Sequence, residues 1–294
     1  MVDVDAGELA KPTLSIDLPV HASLQSFFDA MKGLRKPARR SQWVGWNAWC
    51  QERRRRYPVV LPEYRNDVQN VNPYVFVEEL FRRLPEEHKV VTGDGTACVA
   101  TFQAAHLKPG QRLYTNSGCA AMGYDIPAAI GAAVGLGGEP VTCIAGDGSI
   151  MMNLQDLQTI RTLGLPVRVF VLNNRGYHSI RQTQQAYFPD NVVGCGLESR
   201  LGFPEFAKVA DTFGFTYRRV DSHEQLPAVL DEVLKLPPPV LCEVVLDLRQ
   251  QFAPKLASRR LADGTMFSPP LEDMAPFLDR GELAENLLIP PWEG

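Results

Sequence analysis

Two aspartates sit in glycine turns that could carry chemistry, "GDGT" at residues 93–96 and "GDGS" at 146–149. A lone turn of this kind is equally explained by tight geometry, with the Asp side chain bonded to its own backbone. The residues downstream of each turn separate the two. After Ser149, the residues Leu154, Leu157, Ile160 and Leu163 predict one buried face of a helix capped by Asn153, and Gly164 and Pro166 predict its end. The run "VRVFVL" then predicts a strand that leads straight into "NNRGYHS".

Strand, helix and strand make one right-handed β-α-β unit, which returns the second strand parallel to the first. Asp147 and Asn174, 27 positions apart, are thereby expected at the same end of the sheet. A carboxylate and an amide oxygen form a hard, oxygen-only site that suits Mg²⁺. The Gly176 carbonyl, water and phosphate oxygens would complete it. Backbone N–H groups near Gly148 and Ser149, close to a helix N-terminus, favour an anion beside the metal. The ligand these residues predict is a diphosphate bridged by Mg²⁺. Nothing like "NN" lies a helix and a strand beyond the first turn, so there a plain turn and a functional role both stand.

The elements that must position these residues are legible from about Asn72 onward. Helical "PYVFVEELFRRL" precedes the strand "KVVTG", and "RLYTN" precedes the small-residue helix "YDIPAAIGAAVG". The strand "VTCIAG" and the unit just described come next. Beyond them come helices near 204–213 and 224–234, a strand near Tyr217 and the strand "PVLCEVVL". Apolar strands alternating with helices predict an α/β fold, a doubly wound, mostly parallel sheet with helices on both faces. Residues 1–35 offer one strand and a helix from about Leu24. Residues 36–72 read as a linker that includes a basic, Trp-rich helix (Trp43, Trp46, Trp49). Residues 73–249 hold the sheet, and 250–294 read as a C-terminal arm.

The 294 residues carry a net charge of −4, which gives no reason to expect nucleic acid or an anionic membrane as partner. The run Arg53–Arg56 reads as a solvated helix face or a subunit contact. Six cysteines without a C-x-x-C pair read as free thiols in a reducing compartment. No stretch approaches ~18 uninterrupted apolar residues, and the acidic start lacks a signal core. A cytoplasmic location is the expectation.

The segment "GDGSIMMNLQDLQTIRTLGLPVRVFVLNN" has GDG, 24 intervening residues and NN. It resembles the signature of thiamine-diphosphate enzymes, and the chain is similar to the carboxyl-terminal part of the acetolactate synthase-like group. "NSGCAAMGYDIPAAIGAAVG" resembles that family's "GGLGTMGYGLPAAIGA", and "TGDGTACV" aligns with a loop of the type "DVGQHQ". "MVDVDAGEL" resembles the end of the family's central domain, where the strand is commonly "IDIDP", so 1–35 reads as a remnant of that domain.

The resemblance implies thiamine diphosphate and Mg²⁺ as cofactors, with Asp147, the Asn174 side chain and the Gly176 carbonyl as metal ligands. Gly146, Gly148, Ser149 and Tyr177 match the diphosphate side, and Gly95 and Thr96 the wall beside it. Met122 matches the bulky residue that bends the cofactor, and the Ala120 carbonyl matches the acceptor of its aminopyrimidine. Ala120 stands for a usual glycine, and Thr96, Ala97 and Cys98 stand for Q-H-Q, which implies altered substrate handling. "NNRGYHSIRQTQQAYF" is more like relatives acting on larger or sugar-like acceptors, with His178 as a candidate catalytic residue and Gln182 beside it facing substrate.

The implied activity is decarboxylation of a 2-oxo acid such as pyruvate and addition of the remainder to a carbonyl acceptor. The family's activating glutamate lies on a pyrimidine domain, expected here from another region or subunit of a homo-oligomeric or split assembly. Little or no turnover is expected without it, and FAD is implied only through such further domains. A non-catalytic domain binding a nucleotide or a partner is the rival. A Mg-dependent phosphotransferase lacks its motifs, since neither GxxxxGK[ST] nor DxDx[TV] occurs.

Overall fold

The computed structural model describes residues 1–34, 43–66, 69–260 and 263–289. The chain divides into two compact units, Met1–Pro58 and Val59–Gly294. In the first, the two-residue strand β1 (Val2–Asp3) pairs in parallel with β2 (Val20–His21). Helix α1 (Ala6–Leu9) is capped by Asp5, which accepts from Gly7 N at 2.7 Å. Helix α2 (Leu24–Gly33) is capped by Ser23, which accepts from Ser26 N at 3.1 Å. The expected basic helix is α3 (Val44–Arg56), where Trp46 stacks on Trp49 and the Arg53 guanidinium lies 4.3 Å above the Trp49 ring. Trp43 is exposed just before α3, and residues 36–42 and 67–68 of the expected linker lie outside the described residues.

The second unit opens with α4 (Pro73–Arg83), whose cap Asn72 accepts from Tyr74 N and Val75 N and whose first position is a proline. Then come β3 (Lys89–Thr92), α5 (Thr96–Ala104), β4 (Arg112–Tyr114), α6 (Asp125–Gly135) and β5 (Val141–Gly146). Next are α7 (Asp147–Ile150), α8 (Asp156–Leu163), β6 (Val167–Asn173) and α9 (His178–Tyr187). Helix α10 (Phe206–Phe213), β7 (Thr216–Val220), α11 (Leu226–Lys235) and β8 (Val240–Val245) complete the layer structure. Beyond it, β9 (Arg259–Arg260) pairs antiparallel with β10 (Met266–Phe267), and then comes α12 (Arg280–Asn286).

Strands β3 to β8 form one six-stranded, wholly parallel sheet in the order β4-β3-β5-β6-β8-β7. The doubly wound α/β arrangement expected from the alternation of strands and helices is thus the fold of the chain. Alternate residues of each strand serve opposite faces. Phe170 and Leu172 of β6 pack with Phe76, Leu80, Phe81 and Leu230 under α4, α5 and α11. Val169 and Val171 pack with Ile126, Leu157, Ile160 and Phe206 under α6, α8 and α10. Truncating a fully buried ring such as Phe170 to alanine costs about 3–5 kcal/mol.

The two layers decide where a ligand can sit. Neighbouring strands β3 and β5 send their next helices to opposite faces, α5 to one and α8 to the other. That is the switch point of the sheet, and it opens a crevice beyond the carboxyl ends of these strands. Both glycine-aspartate-glycine turns border it.

Three local expectations need correction. The helix expected from Asn153 begins at Asp156, after a separate single turn, α7. Asn153 is not its cap, because its side chain donates to the Gly123 carbonyl at 2.6 Å. Leu163, expected in the buried face, is 58% exposed at the last turn of α8. Gly164 does end α8, in the left-handed conformation at φ +60°.

Candidate functional site

Register does the first part of the assembly. Strands β5 and β6 pair from Val141↔Val167 to Gly146↔Leu172, so the turn after Gly146 and the "NNRG" loop leave the sheet side by side. Asp147 is only 1% exposed. Its Oδ1 accepts from Gly148 N at 2.8 Å and its Oδ2 from Gly176 N at 3.0 Å. Burial pushes its pKa up to about 7, against the opposing pull of the surrounding backbone N–H groups.

The Asn174 amide has two orientations with different consequences. With Nδ2 donating to Thr96 Oγ1 at 3.0 Å, its Oδ1 faces the Gly176 carbonyl and lies 3.3 Å from Asp147 Oδ1. Three oxygens then converge with no hydrogen among them. Turned over, the amide donates to both oxygens and accepts from Thr96. The second orientation satisfies a bare chain, whereas the first needs a cation in the middle. Among the described residues no group of three or more His, Cys, Asp or Glu is arranged to hold a metal. The set here mixes one carboxylate, one amide and one carbonyl.

Backbone conformation keeps this set open. Gly176 has φ +145°, and a Cβ on it would run into the Cys195 carbonyl. The next residue, Tyr177, donates its N–H to that same carbonyl at 3.0 Å and lays its ring against Gly148, where a Cβ would collide with it. Tyr177 thereby closes one side of the turn 146–149.

The other wall comes from two loops. Thr96 begins α5, and its hydroxyl is the Asn174 contact just described, so Gly95 and Thr96 border the same crevice. On the loop before α6, Ala120 has φ +52°, a conformation that a glycine would adopt without strain. Met122 lies two residues on and is 40% exposed, so its side chain is presented outward and is not core packing. Gly123 N donates to Ser149 Oγ at 2.9 Å, which ties this loop to the turn 146–149.

The family model for the thiamine pyrophosphate enzyme, C-terminal TPP binding domain, matches residues 93–244. The chain belongs to this family. It is 27% identical over 259 residues to the acetolactate synthase large subunit of Cyanidium caldarium, covering 87% of this chain and 43% of that one. It is 31% identical to the probable chloroplastic acetolactate synthase 2 of Oryza sativa subsp. japonica, covering 87% and 40%. Against the acetolactate synthase isozyme 2 large subunit of Escherichia coli strain K12 it is 29% identical, covering 84% and 42%. The chain therefore spans less than half the length of these relatives.

Within this thiamine pyrophosphate-binding domain, His178 and Gln182 are both bonded to the start of the C-terminal arm. His178 is 6% exposed, its Nε2 is 2.9 Å from the Gln250 carbonyl, and its ring meets Phe252 edge-on. Burial holds its pKa below the usual histidine range. Gln182 accepts from Phe252 N at 3.2 Å. Both side chains hold the start of the arm, at residues 250–255. Sequence reasoning also missed Asp125, the fully buried first residue of α6, because one acid in an alanine-rich helix reads as an ordinary helix start. Among the described residues, no helix is long and apolar enough to cross a membrane.

Proposed function

We propose that the chain anchors thiamine diphosphate through Mg²⁺ in an acetolactate synthase-like 2-oxo acid decarboxylase or carboligase. The single observation that carries this reading is the acceptor-only set made by Asp147 Oδ1, Asn174 Oδ1 and the Gly176 carbonyl. In a bare chain the turned amide relieves the repulsion among these oxygens; with Nδ2 held on Thr96, a hard cation relieves it instead and leaves room for phosphate oxygens as further ligands. Gly148 and Ser149 border the place for the diphosphate, with Gly95, Thr96 and Tyr177 as its walls. Met122 and the Ala120 carbonyl, on the opposite loop, would bear on the organic part of the cofactor.

When bound, thiamine diphosphate supplies a carbon nucleophile and an electron sink for cleaving CO₂ from a 2-oxo acid. The chain's own residues would bind and orient: the three oxygens would coordinate the metal, Asp147 offsetting one of its two charges, and the Tyr177 ring closes one side of the turn at Gly148. Pyruvate as substrate, a carbonyl acceptor as second substrate, and an oligomeric or multi-subunit assembly are proposed from the likeness to acetolactate synthase large subunits.

Calorimetric titration of the chain tests the reading. Thiamine diphosphate should give saturable heat that requires Mg²⁺, and ATP and NAD should give none. Heat with ATP or NAD and none with thiamine diphosphate would favour a nucleotide-binding domain instead.

A further inference from the structure

Position 125 departs from the family pattern in a way that position 93 answers. Aligned on Met122-Gly123-Tyr124, the pattern "MGYGLPAA" has glycine where this chain has Asp125. Aligned on Gly95, the pattern "DVGQHQ" has aspartate where this chain has Gly93. Acid and glycine are exchanged between two segments 32 residues apart. In the fold the two positions touch. A Cβ on residue 93 would collide with Asp125 Oδ2, so the two positions share room for one carboxyl group.

The surroundings of that carboxyl are specific. Asp125 is 0% exposed, and its Oδ1 accepts from Ile126 N at 2.9 Å. Its Oδ2 has no hydrogen-bond partner and points at the turn after β3. Burial pushes the acid's pKa up, while the neighbouring Ser149 hydroxyl pulls it down. Ser149 Oγ also accepts from Gly123 N. One carboxyl therefore sits where the turn after β3, the loop before α6 and the turn after β5 meet. A buried acid with an unsatisfied oxygen is costly in free energy, so packing alone does not account for it.

We propose that Asp125 is a positioning residue for the turn 146–149, supplying from helix α6 the carboxyl group that the family pattern carries at position 93. The proposal rests on the reading of that turn as the thiamine diphosphate anchor. Ser149 is tethered by Gly123 N–H, and the Asp125 carboxyl beside its hydroxyl would hold the turn from helix α6.

The exchange itself is the test. In the full chain, thiamine diphosphate affinity at saturating Mg²⁺ is measured by calorimetry for Asp125→Gly, Gly93→Asp, the double variant and Asp125→Asn. Each single glycine or aspartate change should weaken binding about tenfold or more, and the double variant should recover to within about threefold of wild type. Asp125→Asn keeps the volume and should hold Tm within about 3 °C while weakening binding. Recovery in the double variant supports the proposal. A double variant as weak as the product of the singles overturns it, as does wild-type affinity in Asp125→Asn. Should a single variant fail to fold, the folded double decides alone: affinity within about threefold of wild type supports the proposal and anything weaker overturns it. Absence of binding in the wild-type chain counts against the anchor reading, whereas binding there without recovery in the double overturns this proposal alone.

Discussion

At Asp147 the protein keeps a carboxylate where carboxylates are uncomfortable, buried beside two other oxygens. A hard dication reverses that cost, and Asp147 is the formal negative charge in the set. Asp147→Ala should therefore weaken Mg²⁺-supported thiamine diphosphate binding by more than the roughly 10–100-fold typical of losing an outer-shell partner. Asp94→Ala should leave the metal requirement intact, because Asp94 lies in the other turn; calorimetry with and without Mg²⁺ separates the two turns. The same acid sets a pH dependence. Its pKa of about 7 in the bare chain means that proton and metal compete below neutrality. Apparent Mg²⁺ affinity should fall about tenfold per pH unit below 7 and level off above it. A flat profile between pH 5.5 and 7 would mean that Asp147 is not the group the metal displaces a proton from.

The elements were unequally legible. Strands β5, β6 and β8 announce themselves as apolar runs because both faces of a parallel sheet are buried, and α8 shows its Leu157–Ile160 face. The spacing of Asp147 and Asn174 could be read because a β-α-β unit fixes where its ends go. Two helices could not. Helix α5, "TACVATFQA", is small and β-branched with little segregation of polar and apolar positions, and α9, "HSIRQTQQAY", is mostly polar. Both are held by tertiary contacts, α9 through His178 and Gln182. Asp125 escaped notice because its significance depends on Gly93, a neighbour in space and not in sequence. At the opposite end of β3 a different element-level effect operates. His88, just before the strand, is 2.9 Å from Thr142 Oγ1, and burial pushes its pKa down to about 4, with the Arg168 and Lys89 charges adding to this. The folded chain then binds fewer protons than the unfolded one between pH 6.5 and 4. The stability that neutral His88 contributes is complete above pH 6.5 and is lost as pH falls toward 4. After allowance for its partial exposure, about 1–2 kcal/mol should disappear over that window. His88→Gln should flatten this part of the pH–stability curve in denaturant titrations.

At the scale of the whole second unit, the arm is fastened to the helices that carry the crevice. Phe252 N–H donates to Gln182 of α9, Ala253 N–H to the Tyr74 hydroxyl of α4 at 3.0 Å, and Gln103 of α5 donates to the Pro254 carbonyl at 2.6 Å. Helix α9 starts just after Gly176 and Tyr177, and α5 starts at Thr96, so one short segment clamps the two helices whose first turns border the site. A clamp made of a few polar bonds is weaker than a sheet and should open locally while β5 and β6 stay closed. Gln182→Leu removes the acceptor for Phe252 N–H and keeps the apolar bulk. Amide exchange at Phe252 should then quicken by about tenfold or more, the loss expected when roughly 1.4 kcal/mol of local protection goes. Val169 and Val171, in the middle of the sheet, should exchange as before. Unchanged exchange at Phe252 would mean that the arm is held by its other anchors, His178, Tyr74 and Gln103, and the paired variant Gln103→Leu would then be the next to loosen it.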